Sequence, residues 1–281
     1  MPAGISTSIL RAATLPATLA FVLTAALTAP GVAGGASSNA GSARLQGSFT
    51  MRGKVTRADG VRGEHKGQRV KRTWAFNSKC NGGACFRVVL HKRRGGGHTD
   101  RVVLHRTSPG SYSGKGRFYF PIRCAGVVNS RGGEVRFKVT VRIVGTTQIQ
   151  GKTFASKLSA KYTNPERINH TECTGRGLGS DGASYKSSAA TLPGPPAARF
   201  RRTATSGTKL KFEDRSKRGS GGASLTSRLW NFGDPASGSS NTATGPRPSH
   251  TFTTPGAYIV KLTITDRNGL TGTVSHQYVV T

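Results

Sequence analysis

The sequence predicts an all-β protein of two domains, and three observations support this prediction. Apolar and polar residues alternate with a period of two in many short segments, as expected for strands with one buried face. Turns rich in glycine and proline separate these segments, and no window keeps a 3.6-residue period. Four cysteines follow an apolar leader, which indicates an exported chain with disulfides.

The composition limits the classes of function. The chain has 281 residues with 42 Lys and Arg against 11 Asp and Glu, a formal net charge of +31. This length is sufficient for one large domain or two ordinary ones. With so few carboxylates, catalysis by a carboxylate pair is disfavoured. The excess of positive charge predicts that any partner is anionic.

Residues 1–36 have the organisation of a secretory signal. Arg11 is the only charged residue, residues 12–29 are apolar, and small residues fill 30–36. This order predicts export and removal of the leader. The alternative is an uncleaved N-terminal anchor, because the apolar run approaches membrane-spanning length. No second apolar run follows, so we expect no membrane span after cleavage.

All four cysteines lie after this leader, at Cys80, Cys85, Cys124 and Cys173. Four cysteines allow three pairings. A bridge across the turn 81–84 would join Cys80 to Cys85 and leave Cys124 for Cys173. The chain-entropy model gives about 4 kcal/mol for the long loop and about 2 kcal/mol for the short one. A four-cysteine zinc site is the rival, but the paired C-x₂-C spacing is missing.

Residues 37–188 are predicted to form a disulfide-bridged β-domain. The clearest strand is Glu134–Val144, in which Val, Phe and Ile alternate with Arg, Lys and Thr. The other candidate strands are 48–55, 70–76, 86–91, 101–105, 117–122 and 152–162. Seven or eight strands predict an antiparallel β-barrel or a β-sandwich, and the hairpin-length gaps favour the barrel.

A second domain is predicted at 197–281, after a Pro-rich linker at 189–196. The linker has no charge, and its three prolines favour an extended spacer. In the second domain Tyr258, Val260, Leu262 and Ile264 share one face, as in a buried sandwich strand. Trp230 and Phe232 bracket Asn231, so both rings can reach the core.

Several motifs in this segment occur in the order typical of a known family. They comprise Trp230, Asn231, Phe232, Gly233 and Asp234; then His250 and Phe252; then Pro255, Gly256, Tyr258 and Asp266; and finally Asn268 and Gly269. The segment resembles a PKD (polycystic kidney disease) domain, an immunoglobulin-type β-sandwich. Asn231 replaces the usual Asp and Pro235 the usual Gly, so the resemblance does not extend to the cation site of some members. It implies an extracellular module that contacts proteins or carbohydrates.

Motifs for chemistry are scarce. The sequence lacks G-x-S-x-G and H-E-x-x-H, and its seven histidines are scattered. Residues 177–182 spell G-x-G-x-x-G, but the strand before and the helix after that this motif requires are not predicted. We therefore expect no catalytic residue, no metal and no cofactor. Specific nucleic-acid motifs are also missing.

The positive charge remains to be explained. Residues 37–196 carry 29 Lys and Arg against 7 Asp and Glu, and residues 197–281 carry 12 against 4. The cluster Lys92, Arg93 and Arg94 is the candidate anion-binding site. The alternative is a charge that only maintains solubility. These observations predict a non-catalytic extracellular or cell-surface binding protein for polysaccharide, cell-wall polyanion or protein. The alternatives are a secreted hydrolase with a PKD accessory domain, and a β-barrel carrier of a small apolar ligand.

Overall fold

A computed structural model describes residues 39–78, 85–94, 97–173 and 178–281. The predicted signal peptide, residues 1–36, lies outside these ranges. These described residues belong to one compact unit, in which strands dominate. No helix within the described ranges is long and apolar enough to cross a membrane.

The N-terminal domain is built from nine strands among its described residues. They are β1 (Gly47–Asp59), β2 (Arg69–Ser78), β3 (Arg87–Arg93), β4 (Thr99–Ser108), β5 (Ser111–Cys124), β6 (Val127–Ile149), β7 (Lys152–Asn164), β8 (Arg167–Asn169) and β9 (Ser180–Thr191). Each of the seven predicted segments lies on one of these strands. The sequence did not predict β8 and predicted β9 only as a short polar strand. β9 begins at Ser180, within the glycine motif 177–182, where a nucleotide site would need the start of a helix.

The strands close into an antiparallel barrel. The pairing follows the order β1-β2-β3-β4-β5-β6-β7-β9, and β9 returns to pair with β1. Closure also depends on β5, which pairs with both β4 and β6. The short β8 pairs with Gly133–Val135, in the N-terminal half of β6. Of the two predicted alternatives, the hydrogen-bonded ring is therefore a barrel.

Alternation along the strands separates the barrel interior from its outer face. On β6, Val135, Phe137 and Val139 are buried, whereas Arg136 and Lys138 between them are exposed. Large side chains fill the interior. Those with under 2 % exposure include Phe49, Met51, Trp74, Phe76, Leu90 and Tyr112. Burial of this apolar surface is the main favourable term in folding.

A disulfide ties the β5–β6 hairpin to the segment after β8. Cys124 ends β5, and its sulfur is bonded to that of Cys173 with a Cα–Cα distance of 5.7 Å. This is the long-range bridge that the sequence predicts. Its predicted companion, Cys80–Cys85, involves a residue outside the described ranges and stays a prediction.

The C-terminal domain is a two-sheet sandwich. One sheet contains β10 (Phe200–Ser206), β11 (Lys209–Asp214) and β14 (Ser249–Thr251). The other contains β12 (Leu225–Asn231), β13 (Thr242–Thr244), β15 (Gly256–Asp266) and β16 (Thr271–Val280). A short 3₁₀ segment, Pro235–Asn241, joins β12 to β13. Pro235 begins this segment, at a position where its missing N–H carries no penalty.

An aromatic cluster forms the core between these two sheets. The Trp230 ring lies 5.1 Å from that of Phe200 and 5.9 Å from that of Phe212, measured between centroids. Val260, Leu262 and Ile264 on β15 are fully buried against the cluster. This core is separate from that of the barrel, so each domain has its own hydrophobic centre.

The connection between the domains is ordered. The predicted linker begins inside β9, which ends at Thr191. Beyond it, the Gly194 N–H donates to the Ser220 carbonyl at 3.1 Å, and the Ser220 hydroxyl donates to the Leu192 carbonyl at 2.9 Å. The segment 192–196 is therefore hydrogen-bonded to the second domain and is not a free spacer.

Two further contacts join the domains directly. The buried Arg44 guanidinium donates to the Asn268 carbonyl. Burial lowers the pKa of Arg44, and nearby Asp266 opposes that effect. The Gln150 side chain donates to the Thr271 carbonyl at 2.9 Å and accepts from the Thr271 N–H at 2.7 Å. The turn between β15 and β16 is thus held by both Arg44 and the β6–β7 hairpin.

Candidate functional site

The predicted anion-binding cluster is divided by the barrel wall. Lys92 points into the barrel, where its Nζ lies 3.2 Å from Asp100 Oδ2. Arg94 forms an ion pair with the same carboxylate, with its Nε 2.8 Å from Asp100 Oδ1. Only Arg93 is exposed. Two of the three cations are therefore engaged by Asp100, because alternation along β3 sends neighbouring side chains to opposite faces.

Lys92 is a structural cation of the barrel interior. Its Nζ lies 5.0 Å from the centre of the Phe137 ring and 4.9 Å from that of Tyr162. Burial lowers the pKa of Lys92, and the adjacent Asp100 opposes that effect. A buried cation is retained when a carboxylate and aromatic faces replace its water. Lys92 is thus unavailable as a surface ligand.

A different set of cations lies together on the outer face of the barrel. The strand registers place six residues side by side across six strands, and we call them row A. In order from β2 to β5, row A comprises Lys71, Arg52, Lys186, Ser159, Arg142 and Ser111. Four of the six are Lys or Arg, and the other two are serines.

A second row runs parallel to the first, two residues further along each strand. Row B comprises Arg69, Lys54, Ser184, Lys161 and Thr140. The two rows line a surface groove of about 1130 Å³. Its charged side chains are exposed, while the inward residues of the same strands, such as Tyr112 and Val141, are nearly inaccessible. The groove therefore lies outside the barrel.

The groove has one sign of charge. Seven of its lining residues are Lys or Arg and none is Asp or Glu. Among the described residues, none of the seven makes a salt bridge. Lys71 and Lys186 each lie directly opposite Arg52, and Arg69 lies opposite Lys54. Like charges directly opposite in a sheet are destabilising, so the free barrel bears repulsion that an anion would relieve.

The positive surface continues onto the β5–β6 hairpin. Lys115 lies opposite Lys138, and Arg117 lies opposite Arg136. These four residues line a second groove of about 680 Å³. Arg136 is the exception, since it bonds Glu134 at 2.9 Å and, as the largest cause, lowers the pKa of that carboxyl. The second groove adjoins the first along β6 and β7.

The signature residues of the C-terminal domain form a structural network around Asp234. One carboxylate oxygen of Asp234 lies 3.1 Å from His250 Nε2 and accepts the Thr253 N–H at 3.0 Å. The other accepts the Thr253 hydroxyl at 2.9 Å. Burial opposes ionisation of Asp234, but these bonds outweigh it and hold its pKa below the usual value. Both oxygens are thus occupied by the domain itself.

The remaining signature residues also stabilise the sandwich. Phe232 stacks on His250 at 4.4 Å, and Phe252 contacts both His250 and Tyr258. The Asn231 side chain accepts the Gly233 N–H at 2.8 Å. Asp266 accepts the N–H groups of Asn268 and Leu270, which closes the turn at Gly269. Pro255 is exposed in the turn that leads to Gly256, the first residue of β15. The described residues contain no metal-ligand cluster of His, Cys, Asp and Glu.

Sequence reasoning missed rows A and B because their members are far apart in the chain. Arg52, Lys71, Arg142 and Lys186 are brought together only by the closure of β9 on β1 and by the strand registers. The sequence pattern that could have indicated the rows is the recurrence of Lys or Arg at outward-facing positions of several strands. A linear cluster such as 92–94 misleads in a sheet, where neighbours in sequence face opposite sides.

These features define the class of the molecule: a closed antiparallel barrel joined to an immunoglobulin-type sandwich. Comparison with known families then identifies the second part, because residues 192–281 match the PKD domain family. The PKD1 domain of Vibrio anguillarum Epp is 28% identical, with 31% of this chain and 95% of that one covered and a TM-score of 0.27. The PKD1 domain of the Vibrio cholerae metalloprotease PrtV is 29% identical, with 31% and 96% covered and a TM-score of 0.27.

The chain thus carries a PKD domain, and such domains occur in extracellular proteins. This confirms the resemblance that the Trp230–Asp234, His250 and Asn268–Gly269 motifs indicate. The match begins at residue 192, a few residues before the predicted start at 197. No curated protein matches the chain. The barrel is not part of the family match.

Proposed function

We propose that this protein is an exported, non-catalytic binding protein that attaches to polyanionic polymers of a cell surface or extracellular matrix through the outer face of its barrel. The observation that carries the proposal is the double row of seven unpaired cations. Such a row binds polyanions by releasing their condensed counterions, without needing a pocket for any one sugar or base.

The filled barrel interior favours surface binding over the carrier alternative. Trp74, Phe49 and Phe76 occupy the interior with at most 1 % exposure. A carrier of the lipocalin type needs interior space for its ligand. The outer face, in contrast, offers an open groove lined by charge.

Four of the seven carboxylates of the barrel domain favour a non-catalytic role over the hydrolase alternative. Asp59, Asp100, Glu134 and Asp181 each bond at least one Arg or Lys. Arg57 lowers the pKa of Asp59 and Arg136 lowers that of Glu134, which makes these two carboxyls poor general acids near neutral pH. We therefore assign these groups to structure, and we assign the PKD domain the role of an extracellular accessory module.

Heparin affinity chromatography of the full chain tests the proposal. A triple variant of row A, Arg52→Gln, Lys71→Gln and Lys186→Gln, should elute at clearly lower salt than the parent protein. The expected cause is the loss of three phosphate- or sulfate-binding charges, each of which reduces the salt dependence of binding by about one unit.

The matched control replaces three exposed cations on β3 and β4, namely Arg87→Gln, Arg93→Gln and Arg101→Gln. It removes the same charge from the same barrel but leaves the groove intact. If net charge alone governs elution, both variants shift equally and the proposed site is wrong. Failure of the parent protein to bind at low salt would leave the charge as a solubility feature.

A further inference from the structure

We infer that the groove holds a linear phosphate polymer lying across the strands, and that it contacts the polymer through phosphate oxygens alone. This inference rests on the proposed function and specifies its ligand and orientation. Row A crosses β2, β1, β9, β7, β6 and β5 in one continuous line. With strands about 4.8 Å apart, its five intervals follow a curved path of about 24 Å around the outer wall of the closed barrel.

The arrangement of polar groups along the rows fits a chain of phosphates. The hydroxyl groups of Ser159 and Ser184 lie between cations of the rows, and that of Thr140 ends row B. Lys and Arg side chains supply charged donors, and the hydroxyls supply neutral donors between them. A polymer that presents an acceptor-rich anion at regular intervals would meet a donor at each strand it crosses.

The groove offers no ring for stacking. Its two aromatic lining residues, Tyr112 and Tyr185, point into the barrel with 1 % and 8 % exposure. Proteins that bind single-stranded nucleic acid stack its bases on exposed aromatic rings. The absence of such rings from the lining favours a polymer without bases, such as a polyol phosphate chain. It also predicts that recognition is independent of the group between the phosphates.

The charge along the groove is uneven. Five cations, Arg52, Lys54, Arg69, Lys71 and Lys186, lie on the three neighbouring strands β2, β1 and β9. Only Lys161 and Arg142 lie on the next two strands, β7 and β6. The β2 end is therefore the dense end, where the potential for an anion is highest. A short polymer should bind there, and only a longer one should reach Arg142.

This asymmetry provides a test of orientation with synthetic glycerol phosphate oligomers. One oligomer should be long enough to cross three strands and the other long enough to cross all six. Lys71→Gln should weaken binding of both oligomers, by about twofold to fivefold as for one exposed ion pair. Arg142→Gln should weaken only the long oligomer. Arg101→Gln, outside the groove, should affect neither.

The following results of these binding measurements would contradict the inference. Equal affinity of the two oligomers, or an equal effect of Arg142→Gln on both, would mean that the polymer does not lie along row A. Much tighter binding of an oligothymidylate of equal charge would mean that bases contribute. If heparin binding depends on row A but neither oligomer binds, the inference fails and the proposed function stands. If heparin does not bind either, both fail.

Discussion

A cluster of surface cations in the PKD domain contrasts with the cations on the outer face of the barrel. In the PKD domain, Glu213 alone bonds Arg201, Arg215 and Arg247, and Asp214 bonds Arg228. On the outer face of the barrel, the seven cations of rows A and B have no acidic partner among the described residues. Carboxylates therefore neutralise the arginines around Glu213 and Asp214, whereas the cations of rows A and B have no carboxylate beside them. The positions of the few carboxylates thus distinguish the paired arginines of the PKD surface from the unpaired cations of the proposed binding surface on the barrel.

The domains agree in how they bury charge. Each keeps a buried carboxylate beside cationic or hydrogen-bonding partners, Asp100 ion-paired with Lys92 and Arg94 in the barrel, and Asp234 hydrogen-bonded to Thr253 and His250 in the PKD domain. Buried charges are tolerated when they are paired or hydrogen-bonded. The contrast between the domains is thus confined to their surfaces, and the following experiments test it from the largest expected effect to the smallest.

The largest effect should come from the aromatic core of the PKD domain. Trp230 is fully buried, and Trp230→Ala should reduce the free energy of unfolding by about 3–5 kcal/mol. Its exposed neighbour Leu229 provides the control, since Leu229→Ala should change stability by no more than about 0.5 kcal/mol. Chemical denaturation measures both. Similar small losses for the two variants would place Trp230 outside the core.

Much of the fold could be predicted from the sequence because local patterns determine it. Alternation in Glu134–Val144 identifies β6, and the motifs from Trp230 to Gly269 identify the PKD domain. The hairpin-length gaps favour a barrel, but the pairing that closes the ring could not be predicted, because it depends on β9, whose polar and small residues Ser180–Thr191 give a weak strand pattern. Barrel and sandwich differ only in such long-range pairings.

The site could be predicted only as an excess of charge. Lys92, Arg93 and Arg94 are adjacent in sequence, yet β3 directs Lys92 inward and Arg93 outward. Arg52 and Lys186 are 134 positions apart and become neighbours through the pairing of β1 with β9. Which side chains become neighbours depends on the register between paired strands, and the register of β9 on β1 exists only once the barrel has closed.

The next effect concerns the contact between the domains. Arg44→Met removes the donor to the Asn268 carbonyl and should cost about 1–3 kcal/mol, the penalty for leaving a buried polar group unpaired. The parent protein should unfold in one calorimetric transition, and the variant should separate into two. The control Lys157→Met changes an exposed cation of β7 and should leave one transition. Two transitions in the parent would show that the domains are uncoupled.

A smaller effect should appear with pH in the PKD domain. Because the folded-state pKa of Asp234 lies below its usual 3.8, its contribution to stability is present above that value. The contribution is lost as the pH falls through the folded-state pKa. Asp234→Asn should therefore lower the thermal midpoint at neutral pH and converge with the parent in acid. A difference that stays constant across the whole pH range would contradict the role of the ionised carboxylate.

The smallest effect should differ in sign between the domains. Lys54→Glu replaces repulsion of Arg69, its direct cross-strand neighbour, with attraction. It should stabilise the protein by about 0.2–1 kcal/mol, the range for such pairs, while weakening binding to heparin. Arg201→Glu makes the opposite change, because Arg201 lies opposite Glu213 and bonds it. It should destabilise by a similar amount and leave heparin elution nearly unchanged.

Thermal midpoints at low and high salt separate this electrostatic effect from packing. High salt should shrink both shifts, since interactions of exposed charges are screened over about 10 Å at 0.1 M ionic strength and less at higher salt. A barrel that gains stability as it loses affinity would show that rows A and B are maintained for binding at the expense of folding. If Lys54→Glu destabilises the protein, the row cations support the barrel, and the contrast between the two surfaces disappears.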